Sequence, residues 1–194
     1  MELQHVNVKI YVDGALGVDP ARFIDVFHEW IQEDALPELL IDVADYRHVP
    51  AGPGVLLVAA EADYSMDHAD NRWGLRYNRK APLDGSNVDR FRQALGAAAR
   101  AVGLLEAHFE GAGPLRFSRR AFELFINDRA LAPNTPETLA ACQPDLRAFL
   151  TDVFGDDAFT FEPRTDARRL FGVTVKLAAP FALAALAATP GPKG

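Results

Sequence analysis

The sequence predicts an α+β protein: a largely antiparallel sheet with helices packed on one face, built from two β-α-β-β units in the manner of ferredoxin-like repeats and joined by a helix. Three observations predict it. A strand of period two at the start of the chain runs into a capped helix. The same order of strand, capped helix, strand and strand recurs beyond residue 120. Between the two lies a long amphipathic stretch, 86–109, with a capping signal of its own.

Val6, Val8, Ile10 and Val12 alternate with Asn7, Lys9 and Tyr11, the pattern of a half-buried strand. Asp19 offers an N-cap and Pro20 the first helical position, and Phe23, Phe27, Trp30 and Ile31 follow at helical spacing, so a helix is predicted over 20–33. Residues 39–43 read as a second strand and 55–66 as a third. The third has Val55, Leu57 and Ala59 on one face and Leu56, Val58, Ala60 and Ala62 on the other. Apolar residues on both faces predict a central strand, covered by helices on one side and by a second subunit on the other.

A hairpin partner is predicted over 72–80. A loop over 68–71 would pair Asp67 with Arg72 and set Asp63 opposite Arg76. Ala62, Tyr64, Met66, Trp73, Leu75 and Tyr77 then share one face. Glu61, Asp63, Asp67, Arg72, Arg76, Asn78 and Lys80 share the other, and a slip of one residue would mix the two sets. Ser86 and Asp89 make a capping box for the helix 86–109, whose buried stripe is Val88, Phe91, Leu95, Ala98, Val102 and Leu105. A loop over 111–114 leads to a strand carrying Phe122, Leu124 and Ile126.

The chain then repeats its own order. Val12-Asp13-Gly14-Ala15-Leu16 resembles Asn127-Asp128-Arg129-Ala130-Leu131, and Thr135-Pro136 repeats the helix start of Asp19-Pro20. Strands at 159–162 and 171–175 match those at 39–43 and 54–58. From proline to glycine is 34 positions in the first copy (Pro20 to Gly54) and 36 in the second (Pro136 to Gly172). A single domain over 1–194 is expected, with approximate halves 1–83 and 115–179 linked by helix 86–109 and with 180–194 as a short helix or tail. The polar hairpin 61–80 has no evident counterpart after Lys176, which directs the search for a site to the first half.

The chain has 194 residues, 49% of them hydrophobic, ample for a sizeable core. A net charge of −7 argues against nonspecific nucleic-acid binding, which needs a basic face. The charge is uneven: three basic and fourteen acidic residues precede Asn71, a net of −11, which leaves +4 for the rest. The single cysteine, Cys142, allows no internal disulfide and fits a reducing compartment. The N-terminus lacks the basic and apolar runs of a signal peptide, and the apolar stretch 177–190 is too short to span about 30 Å of bilayer. A cytoplasmic protein without membrane or nucleic-acid partners is expected.

No Walker loop, G-x-G-x-x-G, G-x-S-x-G, H-E-x-x-H or paired C-x-x-C occurs. The densest polar constellation is the hairpin face: Glu61 and Asp63 against Arg76 and Asn78, with Arg47 and His48 in a nearby Pro/Gly loop. Two carboxylates, a guanidinium and an amide suit a polar metabolite or acid–base chemistry, although cross-strand ion pairs on a wet sheet are the more ordinary explanation. A metal would recruit His48 and His68 beside Glu61 and Asp63, but these share no ligand spacing, so neither a metal nor a cofactor is expected. Tyr64, Met66, Trp73, Leu75 and Tyr77 form an aromatic face that either core or a partner must cover. The function expected first is association without catalysis, as a homodimer through that face; the alternative is a small-molecule-binding protein or enzyme using the hairpin carboxylates and Arg76.

The stretches Leu40-Ile41-Asp42-Val43-Ala44-Asp45-Tyr46-Arg47-His48-Val49-Pro50 and Tyr77-Asn78-Arg79-Lys80-Ala81-Pro82 resemble those of an uncharacterised family of bacterial proteins of similar length. No activity is attached to that family, so the resemblance implies no function.

Overall fold

The computed structural model describes residues 1–111 and 115–187; part of the expected loop 111–114 and the last part of the expected tail, 188–194, lie outside the described residues. In chain order the elements are β1 (Val6–Tyr11), α1 (Arg22–Glu33), β2 (Leu40–Tyr46), β3 (Gly54–Ala59), β4 (Ala62–Asp67), β5 (Gly74–Arg79), α2 (Asn87–His108), β6 (Ala121–Ile126), α3 (Pro136–Phe154), β7 (Phe159–Pro163), β8 (Gly172–Leu177) and α4 (Leu183–Ala187). Among the described residues these form one open antiparallel sheet of eight strands with four helices, an α+β fold. The strand order is β2-β3-β4-β5-β1-β6-β8-β7. No helix among the described residues is long and apolar enough to cross a membrane.

Local chemistry accounts for the helix starts. The Ser86 hydroxyl accepts from the Asp89 amide at 3.2 Å while the Asp89 carboxylate accepts from the Ser86 amide at 2.9 Å, so α2 has a complete capping box. Thr135 caps α3 by accepting from the Thr138 amide at 3.3 Å, with Pro136 in the first turn. Helix α1 starts later than the sequence predicts. Asp19 accepts from Ala21, and a tight turn bonded from Arg22 to Asp19 and from Phe23 to Pro20 precedes the regular helix.

One contiguous core fills the space between the helices and one face of the sheet. Val8, Ile10, Leu57, Leu124 and Val173 of the sheet meet Phe27 of α1, Phe91 and Leu95 of α2 and Phe149 of α3. The aromatic hairpin face belongs to this core, which corrects its reading as a docking surface. Tyr64, Met66, Leu75 and Tyr77 are fully buried within one chain. Their hydroxyls are satisfied there, Tyr64 donating to Glu38 at 2.8 Å and Tyr77 accepting from Gln93 of α2 at 2.8 Å. Trp73 lies outside β5 and stacks on His68 with ring centroids 4.3 Å apart.

Three further expectations change. The strand predicted over 55–66 is two strands, β3 and β4, with a turn at Ala60 and Glu61. Strand β3 is second from the edge rather than central, and Leu56 and Val58 are only half-buried on the face away from the core. The hairpin register is displaced by two residues: Asp63 pairs with Asn78, Ser65 with Arg76 and Asp67 with Gly74. An even displacement leaves every side chain on its predicted face, which is why the polarity pattern could not detect it.

Two glycines permit the close strand spacing at the middle of the sheet. A Cβ on Gly74 would stand 2.8 Å from the Ile10 carbonyl oxygen and 2.9 Å from the Lys9 side chain. A Cβ on Gly172 would stand 2.5 Å from that of Phe125. Gly172→Ala should therefore overpack the β6–β8 contact and lower stability by about 1–3 kcal/mol in urea unfolding, with an unchanged m-value.

Candidate functional site

The face of the sheet away from the core carries a rung of polar residues across its centre. Ser65, Arg76, Lys9, Glu123, Thr174 and Glu162 are successive register partners on β4, β5, β1, β6, β8 and β7. The next rung places Asp63, Asn78, Asn7, Phe125 and Gly172 side by side. Although none of the described helices covers this face, Asn7 and Lys9 are buried, at 0% and 3% exposure.

Lys9 explains how. Its ammonium donates to Asp67, to the Ala69 carbonyl at 3.3 Å and to the Arg72 carbonyl at 2.9 Å, three donors for three acceptors. These bonds fold the β4–β5 loop, with its short 3-10 turn (Ala69–Asn71), back over the sheet. Asp67 also accepts from the Ala69 amide at 3.0 Å and lies 3.7 Å from Arg76. The Arg72 guanidinium covers the Tyr11 ring at 3.6 Å. Burial lowers the Lys9 pKa from its ordinary value, and Asp67 opposes that shift. With every ammonium proton engaged, Lys9 is a clamp rather than a nucleophile.

A second loop closes the site from the other half of the chain. Residues 164–171 join β7 to β8, and Asn134 braces them by donating to the Arg164 and Asp166 carbonyls at 3.1 and 2.9 Å. Asp166 shapes the turn by accepting from the Arg168 amide at 3.0 Å. Arg129 stands on the turn after β6, which the Asp128 carboxylate builds by accepting from the Ala130 and Leu131 amides. Between the loops and the sheet is a cleft of about 310 Å³. Among the described residues its charged lining is Lys9, Arg76, Arg129, Arg164, Arg168 and Arg169 against Asp67, Asp70 and Glu123.

The cations differ in how far they are engaged. Arg168 grips Asp166 through Nε and Nη2, and Arg169 holds Asp70 through both terminal nitrogens, a link between the two loops. Arg76 donates Nε to Asn7 at 3.1 Å, and Arg164 donates Nη2 to Glu123 at 2.5 Å. Both of these guanidiniums lie over the Phe125 ring, at 4.9 and 4.4 Å. Burial lowers the Arg76 pKa, and the like charge of Arg164 lowers it further against the pull of Asp67. The Nε–H of Arg164 is buried without a hydrogen-bond partner, and Arg129 has no ion-pair or hydrogen-bond partner among the described residues.

Of the candidate ligand-binding residues Glu61, Asp63, Arg76, Asn78, Arg47 and His48, Arg76 alone lines this cleft. Asp63 shares its face one rung away, bound to Lys80 at 2.7 Å, with Asn78 opposite it in the ladder. Glu61 sits in the β3–β4 turn rather than beside Asp63 on a strand. Arg47 lines a separate recess of about 200 Å³ with Gly52, His68 and Trp73, its guanidinium engaged on Asp45 at 2.8 and 2.9 Å. His48 is exposed and stacks on Tyr46. Among the described residues no group of three or more His, Cys, Asp or Glu could hold a metal ion. The cleft draws on both halves of the chain, not on the first alone. Arg164, Arg168 and Arg169 fall within six positions, a local basic cluster that is the one signal that could have found them.

The fold and cleft define a protein with a single open antiparallel sheet and an arginine-lined cleft on the face away from its core. No family model matches the chain, and no curated protein matches it.

Two outcomes test this reading of the charges. Lys9→Met leaves Asp67 buried without its main partner and should cost about 3–5 kcal/mol in urea unfolding, with much of the loss restored in Lys9→Met/Asp67→Leu. Arg169 holds the Asp70 carboxyl below its ordinary value. A carboxyl depressed in the folded state stabilises above its unfolded value, about 3.9, and that contribution is lost as pH falls through the folded value. Both side chains are well exposed, so Asp70→Asn should lower stability by only about 0–1 kcal/mol at pH 7. The difference from wild type should fade as the pH drops below about 3.9, followed by thermal unfolding across pH.

Proposed function

We propose that the protein binds a small anionic ligand in the cleft between the β4–β5 and β7–β8 loops. The observation that carries this reading is the pairing of Arg76 and Arg164 over Phe125. Glu123 and Asp67 each face one of these like charges, but the lining still holds more cations than carboxylates, and Arg164 keeps a buried N–H with no acceptor. Arg129 supplies an uncommitted cation at the rim. The volume, about 310 Å³, lies at the lower end of the range for small-molecule sites.

This reading keeps the alternative expected from the sequence, a binder of small polar metabolites, but moves the site from the hairpin carboxylates to the arginines. It is preferred to self-association because the aromatic face that motivated a homodimer is buried inside the chain. The exposed Leu39 and Ile41 belong to edge strand β2 and its approach, where an irregularity between Leu40 and Asp42 and the acidic Asp42 and Asp45 oppose pairing with another strand.

An internal duplication remains part of the proposal. In each half the last strand returns antiparallel beside the first, β5 beside β1 and β8 beside β6, with Gly74 and Gly172 at the close approach. This changes the correspondence expected from the sequence, which matched 39–43 and 54–58 to 159–162 and 171–175 and left 61–80 over: on the sheet order β4–β5 corresponds to β7–β8, and β2–β3 is the added hairpin.

Thermal unfolding in a panel of sulfate, phosphate, succinate and citrate at constant ionic strength tests the binding claim. At least one anion should raise the melting temperature in a saturable way, a stabilisation of about 2.7 kcal/mol at a hundred times its Kd. Arg76→Gln/Arg129→Gln should lose most of that increment. Equal increments in wild type and variant would place the effect elsewhere and refute the proposal.

A further inference from the structure

From the donors that remain open in the cleft we infer that its ligand is a small molecule bearing a phosphoryl group, which deepens the reading proposed above and rests on it. A carboxylate is planar and is best held by two parallel N–H groups from one edge of a guanidinium. Arg164 has both such edges interrupted at Nη2, and Arg76 keeps only the edge between its terminal nitrogens, where Nη1 already lies 3.7 Å from Asp67. Nε of Arg76 already serves Asn7 at 3.1 Å, and Nη2 of Arg164 already serves Glu123 at 2.5 Å. Arg169 has both terminal nitrogens on Asp70.

What is left is a set of separate N–H directions from different side chains: Nε of Arg164, the terminal nitrogens of Arg76 and the whole of Arg129. A tetrahedral phosphoryl group offers three acceptor oxygens pointing in different directions and near two negative charges at neutral pH, so it can take one N–H from each arginine. Its charge also suits the surplus of cations over carboxylates in the lining. The organic body would lie against Leu170 and Ala69, since the Phe125 ring is already covered by the two guanidiniums.

The acidic partners explain selectivity as well as charge balance. Glu123 and Asp67 fix Arg164 and Arg76 in place, so the donors are set before the ligand arrives and are not lost to disorder. Asp70 holds Arg169 at the cleft margin without blocking the arginines over Phe125.

Calorimetric titration with phenyl phosphate, inorganic phosphate and succinate tests the inference, with phosphatidic acid vesicles as a second arm. Phenyl phosphate should bind at one site and at least tenfold more tightly than succinate. Arg164→Lys keeps a cation beside Glu123 but has no Nε–H, and it should weaken phenyl phosphate at least tenfold while changing succinate little. Arg129→Ala, at an exposed and unpartnered position, should weaken phenyl phosphate without altering the fold. Succinate binding as tightly as phenyl phosphate would overturn the phosphoryl inference and leave the anion cleft standing. Vesicle binding without phenyl phosphate binding would overturn the small-molecule ligand. Failure of every probe, together with no stabilisation by the anion panel, would remove the cleft proposal itself.

Discussion

A lysine at the middle of the sheet, on the face that none of the described helices covers, must find acceptors for its ammonium, and the protein meets that requirement with a loop. Lys9 is nearly excluded from solvent together with Asp67. A buried ammonium without full partners would cost several kcal/mol, so the β4–β5 loop has to bring the Asp67 carboxylate and two carbonyls over it. Much of the open face follows from that demand. The loop is longer than a tight hairpin turn, the register of β4 on β5 moves with it, and Arg72 reaches the Tyr11 ring. Gly74 lets β5 pass beside Lys9 where any side chain would collide.

The same constraint organises the charge. The first part of the chain is strongly acidic and the remainder basic, and the sheet joins them at the β1–β6 ladder, where Lys9 pairs in register with Glu123. Acidic residues of the early loop, Asp67 and Asp70, thus face arginines of the late loop, Arg164 and Arg169. Asp70–Arg169 spans the two loops, and Glu123–Arg164 ties the late loop down to the sheet. The cations exceed the acids in this cleft although the protein as a whole is acidic. A focused positive site on a negative molecule is suited to selecting a small anion over a large polyanion, which the surrounding surface repels.

How much of this was legible in the sequence depends on the range of the interaction. Local signals held: the Ser86–Asp89 capping box, Thr135 before Pro136, and the alternation that assigns Tyr64, Leu75 and Tyr77 to the core face. The hairpin register was not legible because a two-residue displacement preserves that alternation. The length of the loop is set by Lys9, some sixty positions earlier, and nothing local records it. Leu56 and Val58 suggested a central strand, but period and polarity give no position within a sheet. For the cleft, Arg76 was visible as a charged residue on a polar face. Arg129 and Arg164 join it only through the β1–β6 pairing, a contact between residues more than a hundred positions apart.

On the proposed reading, the clamp at Lys9 supports a cleft whose arginine N–H groups have room for an anion. Side-chain Nε–H correlations of the arginines, recorded by NMR with and without phenyl phosphate, test it most directly. The Nε signals of Arg164 and Arg129 should move in a saturable way on titration, while that of Arg168, held on Asp166, should stay in place. Movement confined to Arg168 or Arg47, or no saturable movement at any arginine of the cleft, would contradict it.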